Sequence, residues 1–562
     1  MLKRAFTWLK RVGVLCLAGS LALIAPTPPD LFVPIPATAV QTGAAITVTT
    51  SADELINNGN CSLREAIQTI NTHTPVDACG ESDVQTITLP SGTYTLTLAG
   101  PNEDENAAGD LDIKSNVTIQ GPGVEPPWID GNQLDRIFQI HAGATVTMTN
   151  VMIRNGHAPD GTSDACNGGD GGGIANAGIL TLAGCAIADN QAGNGCAGEG
   201  EQGDGGDGGR GGGVFNPGTL TLESSTVRDN VAGAGGDSGE FGSAGAAGYG
   251  GGIYNAGNLT IKNSTIRGNR TAIGGRFIAP PNIACGSGGH GGGLYNAGRL
   301  TLDSSTVHDN QTANGDSCGG SHAMAGNGGY GGGIYTTDTL KVSNTTITGN
   351  HTGTGGETLV DSGEGGHGGG IYNTGVLTID NGTLTHNRAG AGGGDDGLNS
   401  GKGGGIYNSV GTAQARNTIL AGNVSIQTGP DCNGVLTSAG FNLIQSSSDC
   451  TIVGNATGNL VGIDPLLLPL ADYGGPTWTH ALLPGSQAVD TGSCAAIDGA
   501  VITVDQRNIG RPQGVTCDIG AYEAPVFPKV YLPVVLRIDL GQTRGRASEL
   551  FHRPAGTGRL KK

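Results

Sequence analysis

The chain has 562 residues, of which 105 are glycine and 14% are charged, and its formal net charge is −19. Glycine is far more frequent than the ~7% of an average protein but follows no collagen period, and an aromatic share of 4% argues against one large conventional core. The negative charge argues against nucleic-acid binding and against a basic membrane-surface patch.

The N-terminus has the pattern of an export signal. Two Lys and two Arg residues precede the apolar stretch 12–25, and small residues at 37–39 offer a cleavage site. We therefore expect residues 1–39 to be a signal peptide and residues 40–45 to be a linker. No later stretch of the sequence is long and apolar enough to cross a bilayer, so we expect no transmembrane span in the mature chain.

Residues 46–145 are predicted to form an N-terminal cap and irregular first coils. A strand at 46–50 is followed by the sequence CSLREAIQTIN at 61–71, in which Ser62 and Glu65 have the spacing of a capping box. The apolar residues of this segment share one helical face: Leu63, Ala66, Ile67 and Ile70. A short amphipathic helix of this kind is suited to cover the exposed end of a solenoid.

Residues 146–429 contain the repeat that organises the chain. Six copies take 20 residues from a first glycine to a closing asparagine and the seventh takes 21, whereas the spacers between copies vary from 15 to 21 residues. The copies begin at Gly171, Gly211, Gly250, Gly291, Gly331, Gly368 and Gly403. A unit of fixed length with a variable connector predicts a solenoid coil from which a surface loop leaves the same corner on every turn.

The pattern inside the unit predicts the type of solenoid. In the copy GGGIYNAGNLTIKNSTIRGN at 250–269, three short runs alternate apolar and polar residues, which is typical of strands. The predicted inward-facing residues of this copy and the next are Ile253, Leu259, Ile261, Ile266, Leu294, Leu300, Leu302 and Val307. We therefore predict an all-β fold, a right-handed parallel β-helix solenoid with a short N-terminal capping helix and Gly-rich loops.

The asparagines that close the units are predicted to stack as a ladder, because asparagine suits a turn and its amide can bond to the copies above and below. They are Asn190, Asn230, Asn269, Asn310, Asn350, Asn387 and Asn423. A second column is Asn176, Asn216, Asn255, Asn296, Asn373 and Asn408, interrupted by Thr336. We interpret both columns as structural.

The cysteines fall into five close pairs, as expected of an exported protein. The pairs are Cys61 with Cys79, Cys166 with Cys196, Cys285 with Cys318, Cys432 with Cys450, and Cys494 with Cys517. In two of these pairs, Cys166 with Cys196 and Cys285 with Cys318, the two cysteines lie in the spacers on either side of a coil. A bridge between such neighbouring spacers is geometrically plausible. Cys185 is left over and is interpreted as a buried free thiol.

An aromatic column runs through the repeats. It consists of Phe215, Tyr254, Tyr295, Tyr335, Tyr372 and Tyr407. If the rings are outward and bare, they form a platform on which sugars can dock; if they are covered, they pack across the coils. We favour packing and keep the glycan platform as an alternative.

The outward positions of the predicted strands carry threonines and basic residues rather than a carboxylate cluster, and hydrolysis of glycosides needs paired carboxylates. The acidic spacer at 198–209 has the composition of Ca²⁺-binding repeats without their strict register. We therefore assign no catalytic, cofactor-binding or metal-binding residues, and Ca²⁺ remains the one cofactor considered. The triplets around His290 and His367 are interpreted as chance matches to a hydrolase signature.

Three parts of the sequence resemble known families. CSLREAI at 61–67 resembles the CSLREA domain of secreted bacterial repeat proteins, and the repeats resemble right-handed β-helix proteins of the pectate-lyase-like superfamily. The repeats also loosely resemble those of chlamydial polymorphic outer membrane proteins. The segments DPLLLPLADYGGPTWTHALLPGSQAVDTG, DQRNIGRP and CDIGAYE, within 464–523, resemble the choice-of-anchor Q domain, although Asn508 stands where that family usually has glycine.

The resemblance to the choice-of-anchor Q domain implies an exported surface protein with a variable C-terminal anchor, and it implies no catalysis. We accordingly assign residues 430–524 to C-terminal coils and a choice-of-anchor Q-like domain, and residues 525–562 to a tail that is a candidate sorting segment. The residues themselves predict a polar network that closes the last coil, made of Asp490, Asp505, Arg507, Arg511 and Asp518.

We therefore expect an exported, non-enzymatic protein at the cell surface or in the extracellular space, with a structural or adhesive role. Its expected partners are extracellular glycans or another cell surface. Two alternatives are a polysaccharide lyase or glycoside hydrolase on the pectate-lyase-like scaffold, and a carbohydrate-binding module that uses the stacked tyrosines.

Overall fold

The computed structural model describes residues 45–80, 84–101, 103–163, 166–279, 282–318, 322–358, 361–394 and 399–525. The predicted signal peptide and all of the tail after residue 525 lie outside these ranges. The described chain is a parallel β-solenoid of about 10 turns with one short helix, so the predicted fold class is confirmed.

Three parallel sheets form the walls of the solenoid. Sheet 1 contains Leu111–Ile113, Phe138–Ile140, Ile174–Asn176, Val214–Asn216, Ile253–Asn255, Leu294–Asn296, Ile334–Thr336, Ile371–Asn373 and Ile406–Asn408. Sheet 2 contains Ile46–Thr47, Thr86–Thr88, Val117–Gln120, Thr145–Thr149, Ile179–Ala183, Thr219–Glu223, Asn258–Lys262, Arg299–Asp303, Thr339–Ser343, Val376–Asp380, Thr412–Arg416 and Cys450–Asn455. The strand Cys432–Ala439 pairs with both sheets, which are continuous there.

Sheet 3 contains Thr93–Thr95, Trp128–Asp130, Met152–Arg154, Ala186–Ala188, Thr226–Arg228, Thr265–Arg267, Thr306–His308, Thr346–Thr348, Thr383–Thr385, Ile419–Ala421, Leu443–Ile444 and Leu460–Val461. Three further strands, Phe277–Ala279, Asn282–Ala284 and His322–Met324, form a small separate sheet. All the residues predicted to face inward in the copy at 250–269 are buried, and adjacent coils align them in register. The core is therefore a narrow column of aliphatic side chains.

The helix Leu63–Thr72 begins at the predicted cap, where Ser62 and Glu65 form a reciprocal capping box. Its apolar face is buried, and its polar side chains bond to the first strand of sheet 1. The guanidinium of Arg64 donates to the carbonyl of Asp110, and the amide of Asn71 donates to the carbonyl of Asp112. Side chains thus satisfy backbone groups at the exposed end of the sheet, where an unpaired strand edge would otherwise remain.

The Gly-rich spacers are a bonded layer rather than independent surface loops. Extended segments from successive coils lie side by side; for example, the amide of Gly236 donates to the carbonyl of Gly206 at 2.8 Å. A Cβ placed on Gly236 would lie 1.8 Å from the carbonyl oxygen of Cys196. Backbones approach so closely that only glycine fits, which explains the glycine content of the chain.

Five disulfides join the same pairs that the sequence indicates. Cys185 is the free cysteine of the described residues, and it is buried beneath the strands of sheet 3. Burial raises the pKa of its thiol to about 12, so the thiolate is strongly disfavoured at neutral pH. No helix among the described residues is long and apolar enough to cross a membrane.

The C-terminal residues 464–524, called the cover segment below, do more than close the last coil. They run back over the outer face of sheet 3, where Gln506 donates to the hydroxyl of Thr306, 200 residues earlier in the chain. Inside the segment, Arg511 pairs with Glu523 at 2.9 Å with both side chains fully buried. The predicted polar network exists, but it holds together a layer that lies against several coils.

Candidate functional site

A groove of about 490 Å³ lies on the outer face of sheet 3, between two tryptophans. Its floor is the part of the sheet that the cover segment leaves open, where Met152, Ala186, Thr226 and Thr265 follow one another in register. Trp128 lies on the strand before Met152, and strands of neighbouring coils are about 4.8 Å apart. The floor is therefore roughly 20 Å long, which suits a segment of polymer better than a single small molecule.

Trp128 closes the N-terminal end of this groove, called the sheet-3 groove below. Its backbone is fixed by the strand Trp128–Asp130, and the guanidinium carbon of Arg154 lies 4.5 Å from its ring centroid. Arg154 is itself held by Asp130 at 2.9 Å. The ring is thus half-buried and fixed on one side by a cation–π contact.

Trp478, in the cover segment, closes the other end. Its carbonyl accepts hydrogen bonds from the hydroxyl of Thr306 and the amide of Gln506. Its ring stacks on His308 with the centroids 6.4 Å apart. The cover segment therefore contributes one wall of the groove, and the groove exists only when that segment is docked.

One edge of the groove carries basic residues paired with aspartates. Arg228 bonds to Asp229 at 2.9 Å, and the ring of His308 bonds to Asp309 at 2.8 Å. Arg267 lies 4.0 Å from Asp229. These pairs keep the edge close to electrical neutrality while presenting donors and acceptors.

This arrangement suits a polyhydroxylated ligand. Aromatic rings at both ends offer apolar faces, and threonine hydroxyls and guanidinium groups lie between them. The aspartates beside the groove already accept hydrogen bonds from the neighbouring basic side chains. Glu125 is the one carboxylate among the described residues that line this groove, whereas glycoside hydrolysis uses a pair of carboxylates.

The predicted tyrosine column is also a stack. Its rings lie 4.7 to 5.5 Å apart, with interplanar angles of 6° to 25°. A second row stacks against it and is formed in four copies by the residue before the first glycine: Tyr249, His290, Tyr330 and His367. Because ring faces within the stack are covered by other rings, the geometry favours packing over a sugar platform.

His290 and His367 thus have a structural place in this second row. Nδ1 of His290 accepts the backbone amide of Tyr330, and Nδ1 of His367 accepts that of Lys402. Each bond requires a neutral imidazole, and burial lowers the pKa of both rings to about 4. The sequence contains a sign of this second row, because an aromatic residue or a histidine recurs directly before the first glycine of four repeats.

The closing asparagines form a continuous buried ladder. The amide of each donates to the side-chain oxygen of the next at 2.9 to 3.0 Å. The left-handed backbone is at the residue before each asparagine, such as Asp229 or Gly268, rather than at the asparagine itself. Asp431 accepts from Asn423 and ends the ladder, a role that the repeat pattern does not reveal.

The acidic spacer considered for Ca²⁺ uses its aspartates within the Gly-rich layer. Oδ1 of Asp204 accepts the amide of Ser243 at 2.6 Å, and Oδ1 of Asp207 accepts that of Ala246 at 2.7 Å. These carboxylates satisfy backbone donors of the next coil.

No sequence motif marks Trp128 or Trp478 as a binding or catalytic residue. They are 350 positions apart, and only the docking of the cover segment brings them to the two ends of one groove. The aromatic residues that a sequence pattern does mark are those of the tyrosine column.

No protein-family model matches the chain, and no curated protein matches its sequence. Among solved structures it is similar to pectate lyase Pel9A, with a TM-score of 0.39 and 13% identity over 86% of this chain and 97% of that chain. It is also similar to the A-module of the mannuronan C-5 epimerase AlgE4 of Azotobacter vinelandii, with a TM-score of 0.28 and 10% identity over 73% of this chain and 96% of that chain. These similarities concern the β-helix fold.

Proposed function

We propose that this chain is an exported, non-enzymatic β-solenoid with an adhesive role, and that it binds extracellular glycan chains in the sheet-3 groove. The observation that carries the proposal is the groove itself, an open floor of Met152, Ala186, Thr226 and Thr265 with a tryptophan at each end. Trp anchors in fully desolvated pockets commonly dominate binding energy, and the threonines and arginines between them supply hydrogen bonds.

Export is supported by the signal-like N-terminus and by the five disulfides, which persist in oxidising compartments. The resemblances to the CSLREA and choice-of-anchor Q families point in the same direction. A stack of bonded coils is also a stiff element, which is suited to present a binding groove away from a surface.

The test is a screen of the purified full-length chain against a glycan array, together with a polysaccharide-turnover assay. We expect binding of an extended glycan without release of new reducing ends or unsaturated products. Trp128→Ala and Trp478→Ala should each weaken binding more than tenfold, since loss of such an anchor costs roughly 2 kcal/mol. Trp128→Phe should retain most of the affinity, because it keeps an aromatic face.

Tyr295→Ala is the matched control, since it removes a ring from the stack on sheet 1 and leaves the groove intact. Loss of binding in this variant, with both tryptophan variants unaffected, would move the site to the tyrosine column. Product release by the wild-type chain would establish the lyase or hydrolase alternative. Absence of both binding and turnover would contradict the glycan proposal.

A further inference from the structure

The outward-facing side chains of sheet 1 are polar at its N-terminal end, whereas those of most later coils are aromatic. In the regular repeats this row carries the stacked rings from Phe215 onward, but the first two register positions are Asp112 and Gln139. Asp112 faces outward from its strand and is nevertheless fully buried. A carboxylate at an outward position can be buried only if another part of the chain covers it.

The covering part is the acidic loop 103–110. The backbone amide of Asn106 donates to Oδ2 of Asp112 at 3.0 Å, and Glu103 accepts the amides of Ala107 and Ala108, which fixes the loop. The loop thus places more carboxylates over a buried one. Such an arrangement is unfavourable unless a cation compensates the charge.

Three potential ligand atoms converge beneath this loop. Nε2 of His141 lies 2.8 Å from Oδ1 of Asp112, and the ligand atoms of Asp104, Asp112 and His141 all lie within 4.8 Å of one another. Gln139 links them, because its amide donates to Oδ1 of Asp104 at 2.7 Å. The three side chains come from the loop and from two successive coils.

A second observation concerns the polar atoms beside the cluster. Asn106 is fully buried, its amide nitrogen donates to the carbonyl of Arg64 and to Gln68, and no donor among the described residues reaches its side-chain oxygen. Oδ2 of buried Asp110 likewise has no hydrogen-bond donor among those residues, although Arg136 lies 3.5 Å away. Two buried oxygen atoms beside the cluster therefore lack a hydrogen-bond donor among the described residues.

We propose that Asp104, Asp112 and His141 bind a divalent transition-metal ion of the zinc class. One imidazole nitrogen and two carboxylate oxygens are the donor set that zinc and its neighbours accept, with water completing the coordination. The imidazole disfavours Ca²⁺ and Mg²⁺, which prefer oxygen ligands. The bound ion would fasten the acidic loop over the N-terminal end of sheet 1.

The test uses the full-length chain without an affinity tag, stripped with a chelator and titrated with Zn²⁺ and Co²⁺ by calorimetry and visible absorption. We expect one equivalent of either ion, a Co²⁺ absorption band, and slower hydrogen exchange at 103–112 after binding. His141→Gln and Asp112→Asn should weaken binding more than about 100-fold, since even changes outside the ligand set cost 10- to 100-fold.

His157→Gln is the matched control, because His157 also pairs with an aspartate, Asp160 at 3.2 Å, but outside the three-ligand cluster. The affinity of the His157→Gln variant for Zn²⁺ should equal that of the wild-type chain. Equal binding by His141→Gln, binding of Ca²⁺ alone, or no binding by the wild-type chain would each overturn the proposal. His141 is only partly buried, so its variant remains informative if Asp112→Asn does not fold.

Discussion

The two halves of the outer face of sheet 3 have the same strand pattern, but the cover segment lies on one half and leaves the other open. In the half from Thr306 onward, threonine hydroxyls bond to the cover segment: Thr346 to Gln506 at 2.6 Å, and Thr348 to His480 at 3.1 Å. In the half before Thr306, the corresponding Thr226 and Thr265 line the groove and are only half-buried.

The covered half shows what this surface can bind. A row of hydroxyls repeating at each coil engages the amide, hydroxyl and carbonyl groups of an extended, irregular chain. In the open half, Thr226 and Thr265 present hydroxyls at the same spacing, whereas Met152 and Ala186 occupy the equivalent positions of the two preceding coils. Tryptophans lie at the two ends of this half. The comparison suggests that the open half accepts a polar polymer in the manner in which the covered half accepts the cover segment.

The largest effect is expected from releasing the cover. Arg511→Met leaves the buried carboxylate of Glu523 without its guanidinium, and breaking one partner of a buried ion pair costs about 3–5 kcal/mol. Hydrogen exchange across 464–524 should show this loss of local stability, and glycan binding should disappear with it. Lys341→Met, which removes an exposed pair with Asp498, should change neither measurement. Unchanged exchange in Arg511→Met would contradict the view that this pair holds the segment.

Acid should weaken the contribution that His480 makes to docking of the cover segment. Nε2 of His480 bonds to Thr348, its ring lies 5.6 Å from that of His386, and burial lowers the pKa of His480 to about 4. Between the unfolded pKa near 6.5 and this folded value, the released segment binds a proton that the docked segment does not. The contribution of His480 to docking should therefore be full above about pH 6.5 and fall by on the order of 3 kcal/mol as pH falls to about 4. Burial raises the pKa of Asp518 in the same segment to about 6, so protonation of that carboxyl opposes this loss below about pH 6.

Hydrogen exchange or limited proteolysis of residues 464–524 at several pH values measures this dependence. His480→Gln should flatten the part of the profile that this ring contributes. Equal profiles of the wild-type chain and His480→Gln would show that the imidazole does not govern docking.

The smallest effect comes from a matched pair of substitutions on the two halves. Thr346→Val removes the donor to the buried oxygen of Gln506 and should destabilise docking by about 2 kcal/mol. Thr265→Val should stay within about 0.5 kcal/mol in stability but weaken glycan binding. Unfolding and binding titrations of both variants measure the contrast; equal losses of stability would show that the halves do not differ as described.

Much of the fold could be predicted because its signals are local and repeated. The alternation around Leu259 and Ile261 defines inward and outward positions within one coil, and the fixed unit length brings equal positions into register. The capping box at Ser62 and the five cysteine pairs were likewise readable over short distances. These features need no knowledge of which distant parts of the chain meet.

The candidate site could not be predicted in this way. Trp128 and Trp478 have no shared motif, and the cluster of Asp104, Asp112 and His141 depends on a loop that folds over an outward position. The tyrosine column was visible in the sequence, but whether its rings are bare or stacked depends on the spacing between coils and on the second row.

The sequence by itself determined the coil, its core and its ladders, because each is set by a periodic pattern that neighbouring coils repeat. Tertiary structure alone decided where residues 464–524 dock, since contacts such as that of Thr306 with Gln506 join irregular segments 200 positions apart. It also decided that the spacers form a glycine layer, because that depends on how closely backbones of different coils approach. The groove follows from the docking, and so the proposed function rests on the part of the molecule that has no repeat.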